Sequence, residues 1–236
     1  MKNFIVSEHL EINRDEYTFE SQCEYNTEYF HIGLFQEYDI KLPRLIIHAS
    51  YKRQAEFLAG RYAAKNALNA MGIRCCQVPI SKNRSPSWPS GVIGSITHSN
   101  QIALSIVGCQ NNISNIGVDI EPWFTPDVAR EISSEILMPT EHSILKALDY
   151  PFERLLTICF SAKESVYKAI SFENKPIDNF KQLEVVGFTL GKRGTITICL
   201  SEALTENSFI KDEFICDYLI HENETITRLI HRSDRI

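Results

Sequence analysis

The chain is short of every feature that would set it apart from an ordinary soluble protein. Its 236 residues include only 10 glycines and 9 prolines, too few for a collagen-like or low-complexity chain. No apolar run approaches the roughly 18–20 residues that cross a bilayer as a helix. Met1 to Leu10 has too short an apolar stretch for a signal peptide and no small-residue cleavage site. Positive charge is scarce as well: 24 Lys and Arg against 30 Asp and Glu leave a formal charge of −6, which argues against a general nucleic-acid binder. No C-x-x-C occurs, the 7 cysteines are an odd number, and only Cys75 and Cys76 are close neighbours. No zinc or disulfide framework can be read from them, and buried reduced thiols are expected. A cytoplasmic enzyme or binding protein remains, 44% apolar and 23% charged, long enough for one large domain or two small ones.

The net charge hides a strong pattern. Residues 1–40 carry 9 acidic and 2 basic side chains. Residues 41–84 carry 9 basic ones (Lys41, Arg44, Lys52, Arg53, Arg61, Lys65, Arg74, Lys82 and Arg84) against the single acid Glu56. A concentrated basic stretch in an acidic chain suits a local site for a small polyanion, and it is equally what a solvated helix face looks like.

Local patterns divide the chain into alternating elements. Tyr29 to Gln36 alternates as a strand does. Ser50 can cap a helix running to Met71, with Phe57, Leu58, Tyr62, Ala64 and Leu68 as apolar surface and Gly72 as its stop. Pro86, Pro89 and Gly91 make 81–91 a loop. Strands are expected over Gly94–His98, Ile102–Val107 and Ile113–Ile120. Helices over Pro126–Leu137, Pro139–Leu148 and Pro151–Ser171 each have proline in the first turn. Further strands follow at Leu183–Thr189, Thr195–Leu200, Phe209–Ile220 and Thr225–Ile230. This mixed order predicts an α+β (α/β) fold rather than a doubly wound sheet.

Three constellations carry chemistry. In Gly117-Val118-Asp119-Ile120-Glu121-Pro122 the two-residue period of a strand puts Asp119 and Glu121 on one face. Such a carboxylate pair suits Mg²⁺, which takes one or two carboxylates and completes its shell with phosphate and water; a half-exposed strand end carries the same triplet. In Phe160-Ser161-Ala162-Lys163-Glu164-Ser165-Val166-Tyr167-Lys168-Ala169, Glu164 and Lys168 share one helix face. Lys163 falls inside the apolar arc, a local conflict that marks either a site or a snorkelling stem. Finally, Arg53 and Arg61, eight residues apart, share one side of the basic helix. Their planar forks suit phosphate, and His98 ends a strand where it can donate to a phosphate oxygen.

Together these blocks resemble the 4′-phosphopantetheinyl transferases of the Sfp type, nearest the branch that includes the enterobactin synthase D component. The resemblance runs through Lys52-Arg53, Glu56 to Ala64, Pro86-Ser87-Trp88-Pro89, Gly94 to Ser99, Gly117 to Glu121 and Phe160 to Ala169. It implies two similar α/β halves in a pseudo-two-fold arrangement with the active site between them: residues 1–112 binding the phosphates of coenzyme A, and 113–236 binding metal and carrying catalysis. It implies transfer of the phosphopantetheine arm of coenzyme A to a serine of an apo carrier protein, with Mg²⁺ (or Mn²⁺ in its place), releasing adenosine 3′,5′-bisphosphate. By the same resemblance Arg53, Arg61, Lys82, Arg84, Thr97, His98, Asp119, Lys163 and Lys168 contact coenzyme A. Asp119, Glu121 and Glu164 hold the metal, and Glu164 and Lys168 are catalytic. The partner is a carrier domain of a peptide, polyketide or fatty-acid synthase, with a tilt toward siderophore synthesis. Neither nucleic acid nor a membrane span is implied, and the chain is expected to be a monomer. Thr97 in place of the more usual serine, Phe160 in place of tryptophan and Ser85 before the Pro-x-Trp-Pro block depart from the family pattern without removing a charge. Two other classes keep part of the set: a non-catalytic coenzyme A or nucleotide binder needs only the arginines, and another Mg²⁺-dependent phosphotransferase or hydrolase needs only the acids.

Overall fold

The computed structural model describes residues 3–74, 77–170, 177–201 and 213–233. The chain forms two compact units, one built from the described residues up to Ile116 together with Arg232 and Ser233, the other from Gly117 to His231. The division falls inside a strand rather than at 112/113. Ser233 belongs to the first unit because its N–H and hydroxyl donate to Asn112 O and Gln110 O, at 3.0 and 3.5 Å. Both units combine sheet and helix, as the α+β expectation required.

In the first unit, β1 (Ile5–Asn13), β2 (Thr18–Tyr25), β3 (Val92–Ser99) and β4 (Ile102–Cys109) make an antiparallel sheet in the order β1-β2-β4-β3. The β1–β2 hairpin has no counterpart in the sequence reading, because β1 is exposed on both faces along nearly its whole length and shows no clean hydrophobic alternation. The strand expected over Tyr29–Gln36 is absent. That stretch instead holds a 3₁₀ turn at Thr27–Tyr29 and the short helix α1 (Leu34–Glu37). Phe30, Leu34 and Phe35 all turn into one aromatic cluster with Phe4 and Phe57, so their spacing serves a compact turn rather than a pleat. After α2 (Arg44–Ile47) comes the long helix α3 (Tyr51–Ala70). Ser50 accepts the N–H of Arg53 at 3.2 Å as its cap, and Gly72, at φ +91°, ends it as expected. Gln54 ties α2 to α3 by donating to the carbonyls of Ile46, Ile47 and Ala49. The apolar side of α3 lies on the sheet, where Leu58, Ala59, Ala63, Ala64 and Leu68 are buried.

In the second unit the sheet order is β5-β9-β8-β7-β6, from β5 (Ile113–Pro122), β6 (Leu183–Phe188), β7 (Arg193–Leu200), β8 (Glu213–Ile220) and β9 (Glu224–Arg232). The three proline-led helices appear as α4 (Pro126–Ile136), α5 (Pro139–Lys146) and α6 (Phe152–Ile170). Only the part of the expected 209–220 strand from Glu213 lies in the described residues. Among those residues no helix is long and apolar enough to cross a membrane.

Helix α6 is the hub of this unit. Its buried Leu155, Leu156, Cys159, Ala162, Val166 and Ala169 form one cluster with Ile196, Ile198, Leu200, Phe214 and Cys216 of the sheet. On another side, Ser161 and Ser165 bond to Thr227 of β9 at 2.7–3.1 Å, and these small side chains let helix and sheet approach closely. A third side carries Lys163, which is 0% exposed. Its ammonium meets Glu141 Oε1 at 2.7 Å and donates to the carbonyls of Ile136 and Phe180. Glu141 is equally buried and accepts the N–H groups of Met138 and Val185 at 2.6 and 2.8 Å. One ion pair thus links α5, α6, the end of α4 and β6. Burial lowers the Lys163 pKa and Glu141 opposes that shift, so the ammonium depends on its partner.

Removing one member of a buried ion pair strands the other charge. Lys163→Met is expected to cost about 3–5 kcal/mol of stability. Adding Glu141→Gln to that variant should recover part of the loss, because the remaining group is then neutral and still accepts a hydrogen bond. Urea unfolding of both variants measures the difference.

Candidate active site

The first unit gathers cations in a basin of about 150 Å³ lined by Arg53, Glu56, Phe57, Gly60, Arg61, Ile80, Arg84, Pro86, Ile96 and His98. Helix α3 supplies Arg53, Glu56, Phe57, Gly60 and Arg61, which are related by three- and four-residue steps and so share one side. Gly60 permits the close approach of α3 to β3, since a Cβ there would lie 3.0 Å from the side chain of Ile96. Ile96 and His98 are two residues apart on β3 and project to the same face. Arg61 is fixed on two sides: its Nε donates to Val78 O at 2.6 Å, and its guanidinium lies 4.5 Å over the Phe57 ring. Burial, with help from nearby Arg53, pushes the Arg61 pKa down to about 10, still cationic at neutral pH. Arg53 Nη1 lies 2.7 Å from His98 Nε2 and 3.4 Å from Glu56 Oε2.

Not every residue expected on the coenzyme A side comes to this basin. Arg84 does, held at φ +68° in a turn where Arg84 N–H donates to Ser81 O and where the Ser81 and Ser85 hydroxyls bond to Asn83. Lys82, exposed on the same turn, does not line it. Thr97, 4% exposed, alternates with Ile96 and His98 and so projects from the opposite face of β3. Glu56, which the sequence reading used as the lone acid of the basic stretch and as the start of one matching block but gave no role, sits inside the basin, with its side chain 14% exposed. Its position three residues after Arg53 was the available signal.

In the second unit the acids cluster where β5 meets α6. Gly117 makes this approach possible: a Cβ there would fall 1.9 Å from Ser165 O, a clash with backbone that no rotamer relieves. Two residues on, Asp119 is 3% exposed, so β5 is buried here and is not the half-exposed strand end its sequence also allows. Lys168 Nζ meets Asp119 Oδ1 at 2.5 Å and donates to Val118 O at 3.3 Å. Glu121 is pushed up to about 8, first by burial and then by Asp119 and Glu164, with Lys168 opposing. Glu164 is also raised, by burial and Asp119 against Lys168. The structure therefore brings together Asp119, Glu121, Glu164 and Lys168 as one electrostatic group.

Lys163 is a correction. Its ammonium is wholly buried in the pair with Glu141 and cannot also meet a ligand, so its place in the apolar arc reflects architecture. The metal question divides in two. Three carboxylates with one lysine among them are hard oxygen donors with surplus negative charge, the chemistry that suits Mg²⁺. Yet among the described residues no group of three or more His, Cys, Asp or Glu is spaced to hold an ion as it stands, and Lys168 is the cation at Asp119.

The pKa of Glu121 sets a pH dependence. The folded chain keeps a proton that an unfolded one, at an ordinary 4.5, releases. Stability from this group is complete below about pH 4.5 and is lost as pH rises through about 8. Thermal melts without divalent cation should decline across that window, and Glu121→Gln should flatten the decline. An unchanged slope in the variant would contradict the shift.

Comparison with known proteins adds family evidence. Residues 43–108 match the model of the 4′-phosphopantetheinyl transferase N-terminal domain, and residues 115–221 match that of the 4′-phosphopantetheinyl transferase superfamily. The chain is 43% identical over 146 residues to enterobactin synthase component D of Salmonella typhi, covering 60% of each chain. It is 40% identical over 164 residues to the protein of that name from Salmonella typhimurium strain LT2, covering 68% of this chain and 67% of the relative. A 4′-phosphopantetheinyl transferase of Nocardia iowensis is 32% identical over 127 residues, covering 53% and 55%. The chain thus spans between about half and two thirds of the length of the curated relatives it matches.

Proposed function

The chain belongs to the 4′-phosphopantetheinyl transferase superfamily, and from that premise we propose that it transfers the phosphopantetheine arm of coenzyme A to a serine of an apo carrier protein. The carrier would be a domain of a synthase making a siderophore or a related secondary metabolite, and the chain would act as a cytoplasmic monomer. The observation that carries the reading is the buried contact between β5 and α6. It sets Asp119 and Glu121 in one electrostatic group with Glu164 and Lys168, a set that a mere coenzyme A binder does not need.

The chemistry is displacement at phosphorus. The serine hydroxyl oxygen attacks the phosphorus that bears the pantetheine arm, the bond from that phosphorus to the bridging oxygen breaks, and adenosine 3′,5′-bisphosphate leaves. Such a reaction depends mainly on positioning and charge neutralisation. Arg53, Arg61, Arg84 and His98 would hold the phosphates of coenzyme A, their forks and ring supplying directed donors. Asp119, Glu121 and Glu164 would hold Mg²⁺, with Mn²⁺ as a substitute, and the bound ion would withdraw charge from the pyrophosphate oxygens. Glu164 would take the serine proton, directly or through water. Its upward-shifted pKa makes it a stronger base than an exposed carboxylate. The Lys168 ammonium, held by Val118 O and Asp119, would offset negative charge on the departing bisphosphate.

Incubation of the chain with coenzyme A, Mg²⁺ and a panel of apo carrier proteins, followed by intact mass, tests the reading. A phosphopantetheine increment on at least one carrier is expected; phosphate release with no carrier modified would instead favour a hydrolase. Glu164→Gln should reduce the transfer rate by about 10²-fold or more while coenzyme A still binds. Turnover close to the parent rate in that variant would remove Glu164 from the role of base.

A further inference from the structure

The phosphate basin contains one group that does not belong in an anion site. Glu56 places a carboxylate among Arg53, Arg61, Arg84 and His98, where its charge would repel the anion the basin is built to take. Its contacts explain its presence. Glu56 Oε2 lies 3.4 Å from Arg53 Nη1 and 3.9 Å from His98 Nε2, and Oε1 lies 4.0 Å from Lys52 Nζ. The carboxylate is thus held at the junction of the helix cations and the β3 imidazole.

The state of that imidazole follows from donor chemistry. Arg53 Nη1 and His98 Nε2 are 2.7 Å apart. A guanidinium only donates and does not lose its proton in proteins, so Nε2 must accept with its lone pair. His98 is therefore neutral while Arg53 is bound to it. A phosphate changes this balance. Its oxygens draw the Arg53 fork by two parallel charge-assisted hydrogen bonds, and Nε2 loses its donor. A bare lone pair would then face an anionic oxygen, whereas a protonated ring would donate to it or to Glu56.

The geometry points to a proton-coupled anion site: capture of a phosphate dianion by Arg53 is accompanied by uptake of one proton from solvent onto His98 Nε2, and Glu56 is the positioning residue that stabilises the resulting imidazolium. The inference rests on the reading of this basin as the phosphate site. Among the described residues, the charged groups lining the basin with the ring are Arg53, Glu56 and Arg61 from α3 and Arg84 from the 81–86 turn, with Lys52 beside Glu56. From β2, the buried Tyr25 phenol feels both Glu56 and Arg53 and is shifted upward, mainly by burial, so it stays protonated and uncharged. Three arginines and a lysine disfavour the imidazolium in the empty basin. The incoming dianion and Glu56 together reverse that preference. One phosphate dianion and one solvent proton enter the basin, and the only covalent bond formed is N–H on His98.

Isothermal titration calorimetry of the full chain with adenosine 3′,5′-bisphosphate, in buffers of differing ionisation enthalpy at about pH 7.5, reads the proton directly. At that pH a free phosphate monoester, with its second pKa near 6, is mostly dianionic and an ordinary histidine, near 6.5, mostly neutral, so neither masks the signal. The parent chain should take up more than about half a proton per ligand, Glu56→Gln clearly less, and His98→Gln close to none. Binding by the parent without net uptake, or uptake that persists in His98→Gln, overturns the coupling and leaves the phosphate site standing; absence of any binding by the parent overturns both. Should His98→Gln fail to bind, ring-nitrogen shifts of ¹⁵N-histidine-labelled parent decide. Movement of His98 to the imidazolium pattern on ligand addition supports the coupling, and an unmoved neutral ring overturns it.

Discussion

The close approach of β5 to α6 is the constraint on which the acidic cluster depends. At Gly117 there is no space for even a Cβ, because Ser165 O occupies it. Ser161 and Ser165 fasten the same helix to Thr227 of β9. With helix and strand this close, Lys168 reaches the Asp119 carboxylate across the contact, and Glu164, four residues earlier, joins the same electrostatic group. The buried Lys163–Glu141 pair acts from the other side of the helix, tying it to α5 and β6. A single helix thus carries a buried cation on one side and the Glu164 and Lys168 charges on another, and the neighbouring residues Lys163 and Glu164 belong to different charge clusters.

The cost of this arrangement is paid in proton affinity. Glu121 and Glu164 are pushed upward by burial and by one another's neighbours, with Lys168 the opposing charge. Perturbed carboxylates of this kind collect where charge must later be moved or matched. The first unit shows the mirror condition. Arg61 is buried and crowded by Arg53, and the lone acid Glu56 sits where the cations converge. Among the described residues, each unit sets a side chain of the opposite sign within its charge cluster, Lys168 among the acids and Glu56 among the bases.

Much of the helical architecture was legible because its signals are local. The Ser50 cap and Gly72 stop bracket α3 within a residue, and prolines open α4 and α5. The strands β3, β4, β5 and β7 likewise lie where they were expected, their ends differing by two residues or fewer. Other features were not legible. The Tyr29–Gln36 alternation serves an aromatic cluster that closes a turn and a short helix. β1 has little burial to give it a pattern. Arg53, Arg61, His98, Asp119, Glu121, Glu164 and Lys168 were singled out as candidates from residue type and spacing; the structure gathers the first three in the basin and the other four in the acidic group. Thr97 and Lys82 were also named, yet strand alternation and the turn keep both out of the basin.

What the amino-acid order determined alone is therefore the inventory: a basic segment with one acid, a carboxylate pair two residues apart on a strand, and a Glu–Lys pair four apart on a helix. Those relations follow from backbone periodicity, which is local. Tertiary structure decided which charges meet. It gave Lys163 to Glu141 rather than to a ligand and set Lys168 on Asp119. It also placed Glu56 against Arg53 and His98. Each of these except the Arg53–Glu56 contact joins residues more than 20 positions apart. Coulomb interactions and desolvation act through space, so their outcome is fixed only once packing has set distance and burial.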